Sequence, residues 1–209
     1  TGLHGFHLGA AYAHRTAADD PIHIVTPLQS TVIDTPDLDG RSGRWLHRDA
    51  GWTWGPVQIG FEKVYGRVDD IAVPGGRADL QDLGAYTWYA AWNLTGEARG
   101  WRDGTWTSGP WCNSVRDCEF LPEGRWELAA RFSNVNIHRE LFDAGIIQRG
   151  AGPSDPSGGS TWQSNSYTLS LFWEVSTNLR VGVEGVKTVT EDRMAIYGGT
   201  KRDTSFALR

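Results

Sequence analysis

Residues able to do chemistry are sparse in this 209-residue chain, and their spacing decides what they can do. Six histidines stand at positions 4, 7, 14, 23, 47 and 138. A metal site needs about four converging ligands, and alternation puts His4 and His7 on opposite faces of one strand. No metal is expected. Asp49 and Glu62 flank a hairpin with both carboxylates on one side. Such a pair could act as a glycosidase acid and base, but the polar lining of a channel explains them without catalysis. No Gly-rich phosphate loop, nucleophile elbow or HExxH sequence is present, the signatures that would imply cofactor or hydrolytic chemistry. The expectation is a non-enzyme without a cofactor.

Two cysteines remain, Cys112 and Cys118, in the loop sequence WCNSVRDCEF. No histidine lies beside them to complete a metal site, and the spacing is not the C-x-x-C of a redox pair. A disulfide closing a small loop is the better reading, and it implies an oxidising compartment. Two free thiols is the alternative.

The elements that carry these residues read as strands. Period-two alternation recurs in nine segments, near 3–15, 22–34, 42–54, 57–69, 82–95, 124–138, 161–175, 179–190 and 201–209. No stretch holds a 3.6-residue period over three turns, the best helical candidate being the short 136–147. The fold class is therefore all-β and antiparallel. Most of the segments exceed the roughly 5–6 residues usual in globular sheets and match the about 9–11 residues that let a tilted strand cross a bilayer. Short connections at Gly55-Pro56 and 176–178 alternate with longer ones at 70–81, 139–160 and 191–200. Short turns at one end and long loops at the other mark an outer-membrane barrel. The link 96–123, which holds the cysteines, is long yet falls on the short-turn side.

Phase assigns the faces. Leu169, Leu171, Trp173 and Val175 oppose Thr168, Ser170, Phe172 and Glu174; Trp126, Leu128, Ala130 and Phe132 oppose Glu127, Ala129, Arg131 and Ser133. Tyr86, Trp88, Ala90 and Trp92 oppose Thr87, Tyr89 and Ala91; Val57, Ile59, Phe61 and Tyr65 oppose Gln58, Gly60 and Glu62; Leu46, Ala50, Trp52 and Trp54 oppose His47, Asp49, Gly51 and Thr53. Arg48 and Lys63 break the pattern by falling on apolar faces, where they would have to snorkel to a polar rim. Trp52, Trp54, Trp92, Trp126 and Trp173 cluster near the short-turn ends, as an interfacial aromatic girdle would.

Composition narrows the classes further. With 11 Trp, 7 Phe and 6 Tyr the chain is not a disordered tail. A net charge of -5 and a pI of about 5.6 exclude the broad basic face of a nucleic-acid binder. No apolar run reaches the roughly 18 residues of a membrane helix. Mean hydropathy is -0.42, which is compatible with a soluble domain or with a barrel wall alternating apolar and polar residues. Of 20 basic residues only Lys63, Lys187 and Lys201 are lysines. The terminal DTSFALR (203–209) reads as a strand cut in mid-alternation, so the chain is expected to be a segment of something longer.

Several segments resemble the phosphate-selective porins O and P of Gram-negative outer membranes. GRWELAARFSNVNI (124–137) is similar to that family's WELALRYS strand, and YTLSLFWEVSTNLRVGVEGV (167–186) to its strand–turn–strand. AYTWYAAWNLTGEARGW (85–101) carries its aromatic strand ending in LTGE, and DAGWTWGPVQIGFEKVYGRV (49–68) resembles its Gly-Pro hairpin. PIHIVTPLQSTVIDT (21–35) matches loosely, and DTSFALR resembles the start of the closing strand. The motifs fall in the order of the C-terminal half of the family's barrel. The resemblance implies part of a trimeric barrel of about 16 strands around an aqueous channel. It implies a lipid-bilayer partner, an outer-membrane location, and passive passage of small hydrophilic solutes or anions such as phosphate. The channel-lining candidates are Arg131, Arg180, Arg209, Glu62, Asp49, Glu127, Glu174 and Glu184. The family's arginine before Gly-Pro is Trp54 here, and its arginine-rich approach to the second strand is HIVTPLQS, so the basic lining is thin. Two alternatives to a channel are a soluble Trp-rich β-sandwich that binds carbohydrate and a porin-like barrel serving as an envelope scaffold.

Overall fold

Alternating β-branched, aromatic and small residues suit a pleated surface, and the whole described chain takes that form. The computed structural model describes residues 4–16, 23–25, 31–34, 39–73, 75–102, 105–108, 124–136, 163–176, 179–194 and 200–208. Its strands are β1 (His4–Arg15), β2 (His23–Val25), β3 (Thr31–Asp34), β4 (Ser42–Trp54), β5 (Val57–Val73), β6 (Gly76–Asn93), β7 (Arg99–Arg102), β8 (Thr105–Ser108), β9 (Arg125–Asn136), β10 (Gln163–Ser176), β11 (Leu179–Met194) and β12 (Thr200–Leu208). Eight of them form one antiparallel sheet in the order β1-β4-β5-β6-β9-β10-β11-β12, with β1 and β12 as its edges. The expected all-β antiparallel architecture holds. One expected segment, 22–34, stands apart as the two-stranded ribbon β2-β3, and β7-β8 form a second ribbon. The helical candidate 136–147 lies outside the described residues beyond Asn136.

The faces fall as alternation requires, with burial reversed from that of a water-soluble sheet. Thr53, Gln58, Asn93, Glu127, Ser164, Ser166, Thr168, Ser170, Thr188 and Thr190 are buried. Trp52, Trp54, Ile59, Trp88, Trp92, Leu169, Val183, Phe206 and Leu208 are exposed. A sheet that curls around its polar side produces this pattern. A soluble sandwich would do the opposite and bury these tryptophans against a second sheet.

On the apolar side the aromatics line up across strands. Trp54 and Trp92 both register with Val57, beside the two-residue turn at Gly55-Pro56. Gly55 makes that turn with φ of 53°, a conformation that a side chain resists. Trp52 stacks on Trp54 with centroids 6.1 Å apart, and Trp126 on Trp173 at 5.8 Å. The expected girdle is thus one contiguous band near the short-turn ends. Higher on the strands, Phe61, Trp88, Phe132 and Tyr167 occupy a single cross-strand row. On the polar side, aromatics lie over glycines: Tyr89 covers Gly60 and Phe172 covers Gly182, so a Cβ at either glycine would collide with a ring.

One expected connection is corrected. Residues 70–81 read as a long loop because of their Asp, Gly and Pro content, but β5 and β6 zip almost to their tip at Val73 and Gly76. Two forces close it. Val68, Ile71, Leu80 and Leu83 form the largest buried apolar group among the described residues. Around it runs a charge ladder. Asp69 accepts from Arg44 at 2.5 Å, from Ser42 at 3.0 Å and from Arg67, while Arg67 also donates to Asp79 at 3.0 Å. Arg77 donates to Asp70 at 2.7 Å. Arg44 first, then Arg67 and Ser42, pull the Asp69 carboxyl from its ordinary 3.8 down to about 2. A depressed value means that the contribution is complete above about pH 4 and lost as pH falls through about 2. Amide exchange at Val68, Ile71 and Leu80, corrected for intrinsic rate, should therefore quicken over that interval. Asp69→Asn should show the fast exchange already at neutral pH.

Candidate functional site

The charged side chains of the polar face gather into two groups, each built by strand register. The first spans β1, β4 and β5. Asp49 sits opposite Gly9 and Glu62. The missing side chain at Gly9 lets the Asp49 carboxylate lie over it and meet His7 Nε2. His47 Nδ1 is 3.7 Å from the same carboxylate. Glu62, directly across from Asp49, is exposed and has no hydrogen-bond or ion-pair partner among the described residues. The described residues contain no cluster able to hold a metal ion.

The second group lies at the short-turn end and is built around a residue that is not on the main sheet. Arg99 of β7 is 5% exposed. Its backbone N–H donates to Gly55 O at 2.8 Å, which fixes the returning chain beside the β4-β5 turn. Its guanidinium donates to Gln58 Oε1 at 2.7 Å and to the Glu127 carboxylate. Arg180 of β11 reaches Glu127 from the other side at 2.7 Å and stands 3.5 Å from Glu174. The Arg180 guanidinium also lies 3.8 Å above the Phe172 ring, in cation–π range. Arg125 pairs with Glu174. Burial pulls the Arg99 guanidinium below its ordinary value, and Glu127 opposes that pull.

The structure thus joins Glu127, Glu174 and Arg180 into one network and leaves Asp49 and Glu62 in the other. Glu184 accepts from Ser170 at 3.1 Å, apart from both. Arg131 sits on the polar face between Tyr89 and Thr168, exposed and without a partner among the described residues. Arg209 and the cysteines Cys112 and Cys118 lie outside the described residues. Sequence reasoning missed Arg99, Gln58 and Arg125. Gln58 and Arg125 were legible in principle, since the phase of β5 and β9 puts both with the polar residues. Arg99 was not, because a loop residue has no phase.

Around these groups the face is lined by hydroxyls, two pairs of which satisfy each other across strands. Thr87 and Ser133 lie 3.1 Å apart, and Ser166 and Thr188 3.2 Å apart. An interior of charges and hydroxyls, an exterior of apolar residues with an aromatic band, and strands of 12–18 residues in the main sheet apart from the 9-residue β12 define the wall of a membrane β-barrel. No helix among the described residues is long and apolar enough to cross a membrane. The family model of the phosphate-selective porins O and P matches residues 32–198, most of the chain. The chain belongs to that family, which is one of outer-membrane channels and not of enzymes. No curated protein matches it.

Glu127 is the residue on which the second group turns, being hydrogen-bonded to Arg99 and Arg180 at once. Glu127→Gln should destabilise the protein by about 3 kcal/mol, the usual effect of leaving a buried cation without its partner. Urea unfolding in detergent or lipid measures it. Glu62→Gln, at an exposed and unpartnered carboxylate, should change stability by less than about 0.5 kcal/mol.

Proposed function

We propose that the polar face lines the water-filled channel of an outer-membrane porin in a Gram-negative bacterium, through which small hydrophilic solutes, including anions such as phosphate, diffuse passively. The observation that carries this reading is Arg131, an exposed guanidinium midway along the polar face with no partner among the described residues, whereas Arg99, Arg125 and Arg180 on the network below it each hold a carboxylate. A fixed cation that is not neutralised by a neighbour attracts passing anions, and selectivity follows such local charge more than the total. Asp49, Glu62, Glu174, Glu184, Glu127, Arg180 and Arg209 complete the proposed lining, with carboxylates in the majority. This supports a weakly biased channel more than a steeply phosphate-selective one.

The protein would act as a homotrimer, the family's assembly. The link 139–160 would be an extracellular loop. The link 96–123 would be a periplasmic loop that turns inward at Arg99 and narrows that mouth, with Cys112 and Cys118 joined beyond it. Membership of a porin family and the burial of Arg99 against Gln58 and Glu127 support this arrangement.

The test is conductance of the intact porin in a planar bilayer under a salt gradient. Arg131→Glu exchanges one unit of positive charge for one of negative. At about 8 Å in water each unit is worth roughly 0.5 kcal/mol, so at low salt the two-unit change disfavours an anion and favours a cation by about 1 kcal/mol each, and the anion-to-cation permeability ratio should fall on the order of thirtyfold. An unchanged reversal potential would remove Arg131 from the conducting path. Absence of any conductance from inserted protein would remove the channel reading itself and leave a scaffold.

A further inference from the structure

Arg48 and Lys63 are the two basic residues that alternation places among apolar neighbours, and the register makes them direct cross-strand partners on β4 and β5. They share the outward face with Ala50, Trp52 and Phe61 below and Leu46 and Tyr65 above. Both are exposed, and neither has a hydrogen-bond or ion-pair partner among the described residues. Like charges directly opposite one another repel, and each would be costly on a lipid-facing surface. Two rows higher, Arg44 and Arg67 are also cross-strand partners, but there Asp69 lies between them and accepts from both. The sheet supplies an anion to the upper pair and none to the lower.

Depth and charge indicate what the missing anion is. Arg48 is six residues above Trp54 along β4. At a rise of about 3.3 Å and the usual barrel tilt this is about 15 Å above the aromatic girdle, in the upper part of an apolar band about 25 Å tall. Long side chains at that depth reach the nearer headgroup layer by snorkelling. Their neighbours in the row leave space and give an amphipathic wall: Ala10 beside Arg48 and Tyr86 beside Lys63. A second copy presenting the same rows of this face has no acid to offer, and Asp69 above them is already held by Arg44 and Arg67. Among the described residues, the outward positions between the tryptophan girdle and this row hold no carboxylate.

We infer that Arg48 and Lys63 together bind the phosphate of an anionic lipid, a phosphorylated glycolipid of the leaflet nearer the strand tips. The guanidinium offers a fork to two phosphate oxygens and the ammonium a mobile point charge. This inference rests on the porin reading, because it needs the outward face to meet lipid.

The test compares the intact porin with its Arg48→Leu/Lys63→Leu variant by native mass spectrometry, with diphosphorylated lipid A as the probe and its fully dephosphorylated form and inorganic phosphate as controls. The wild type should retain diphosphorylated lipid A on the order of ten- to thirtyfold more than the variant, with no difference for the dephosphorylated lipid. In phosphatidylcholine bilayers the variant should melt no lower than the wild type, since leucine suits that surface. Equal retention by both proteins would overturn the inference. So would displacement of the lipid by equimolar inorganic phosphate, which would mark a free-anion site. A variant that dissociates into monomers would likewise overturn it and assign the pair to a subunit interface. A wild type that inserts and conducts but shows no lipid difference sinks this inference alone, while one that neither inserts nor conducts sinks the porin reading beneath it.

Discussion

In the hydrocarbon core of a membrane no water is available to a backbone N–H or C=O, so every such group must be paired within the protein. A strand can meet that demand only through its two neighbours. Seven consecutive antiparallel ladders meet it here for the six interior strands, from β4 to β11. The ladders run with few register shifts, one at the foot of β10-β11 and the others toward the tips of β5-β6 and β11-β12. The same demand bears on β1 and β12, whose outer edges need further strands to pair with when the sheet stands in lipid. Every other property of the wall follows from this unbroken pairing, because fixed register sends alternate residues to opposite faces with no freedom to compromise.

Fixed alternation makes the polar face crowded, and the chain resolves the crowding in two ways. Several charges that lie close are paired locally: Asp49 is hydrogen-bonded to His7, and Glu127 is held by Arg99 and Arg180. Bulky rings are admitted only where a neighbouring strand supplies a glycine, as with Tyr89 over Gly60 and Phe172 over Gly182. Gly9, Gly60, Gly66 and Gly182, inside strands, are therefore not flexible breaks. They are the spaces into which the interior side chains fit, and they explain a glycine content that would be odd for long strands in a water-soluble protein.

The faces were legible from sequence because period two is an all-or-none signal. Once Trp88 was placed outward, Tyr89 and Thr87 had to point inward. Arg48 and Lys63 were visible as exceptions to that period, though that they meet each other required the register. The β5-β6 tip was misread because Asp70, Pro74, Gly75, Gly76 and Asp79 have the composition of a loop, and composition cannot reveal that Arg67 pairs with Asp79 and Arg77 with Asp70 across a hairpin. Arg99 was invisible for a different reason. Its place depends on a chain leaving the sheet and returning to Gly55 and Gln58, a tertiary contact with no local pattern. The family assignment, by contrast, rested on ordered strand motifs, which is the part of the sequence that alternation constrains most.

The central claim is that neighbouring residues on one strand face water on one side and lipid on the other. Single cysteines placed in turn at Ala130, Arg131, Phe132 and Ser133 of β9, in a Cys112→Ser/Cys118→Ser background of the intact porin in lipid vesicles, test it most directly. A membrane-impermeant, water-soluble thiol reagent should modify positions 131 and 133 and spare 130 and 132. Reaction at 130 and 132 with protection at 131 and 133, or uniform reaction along the strand, would contradict a channel wall with its polar face inward.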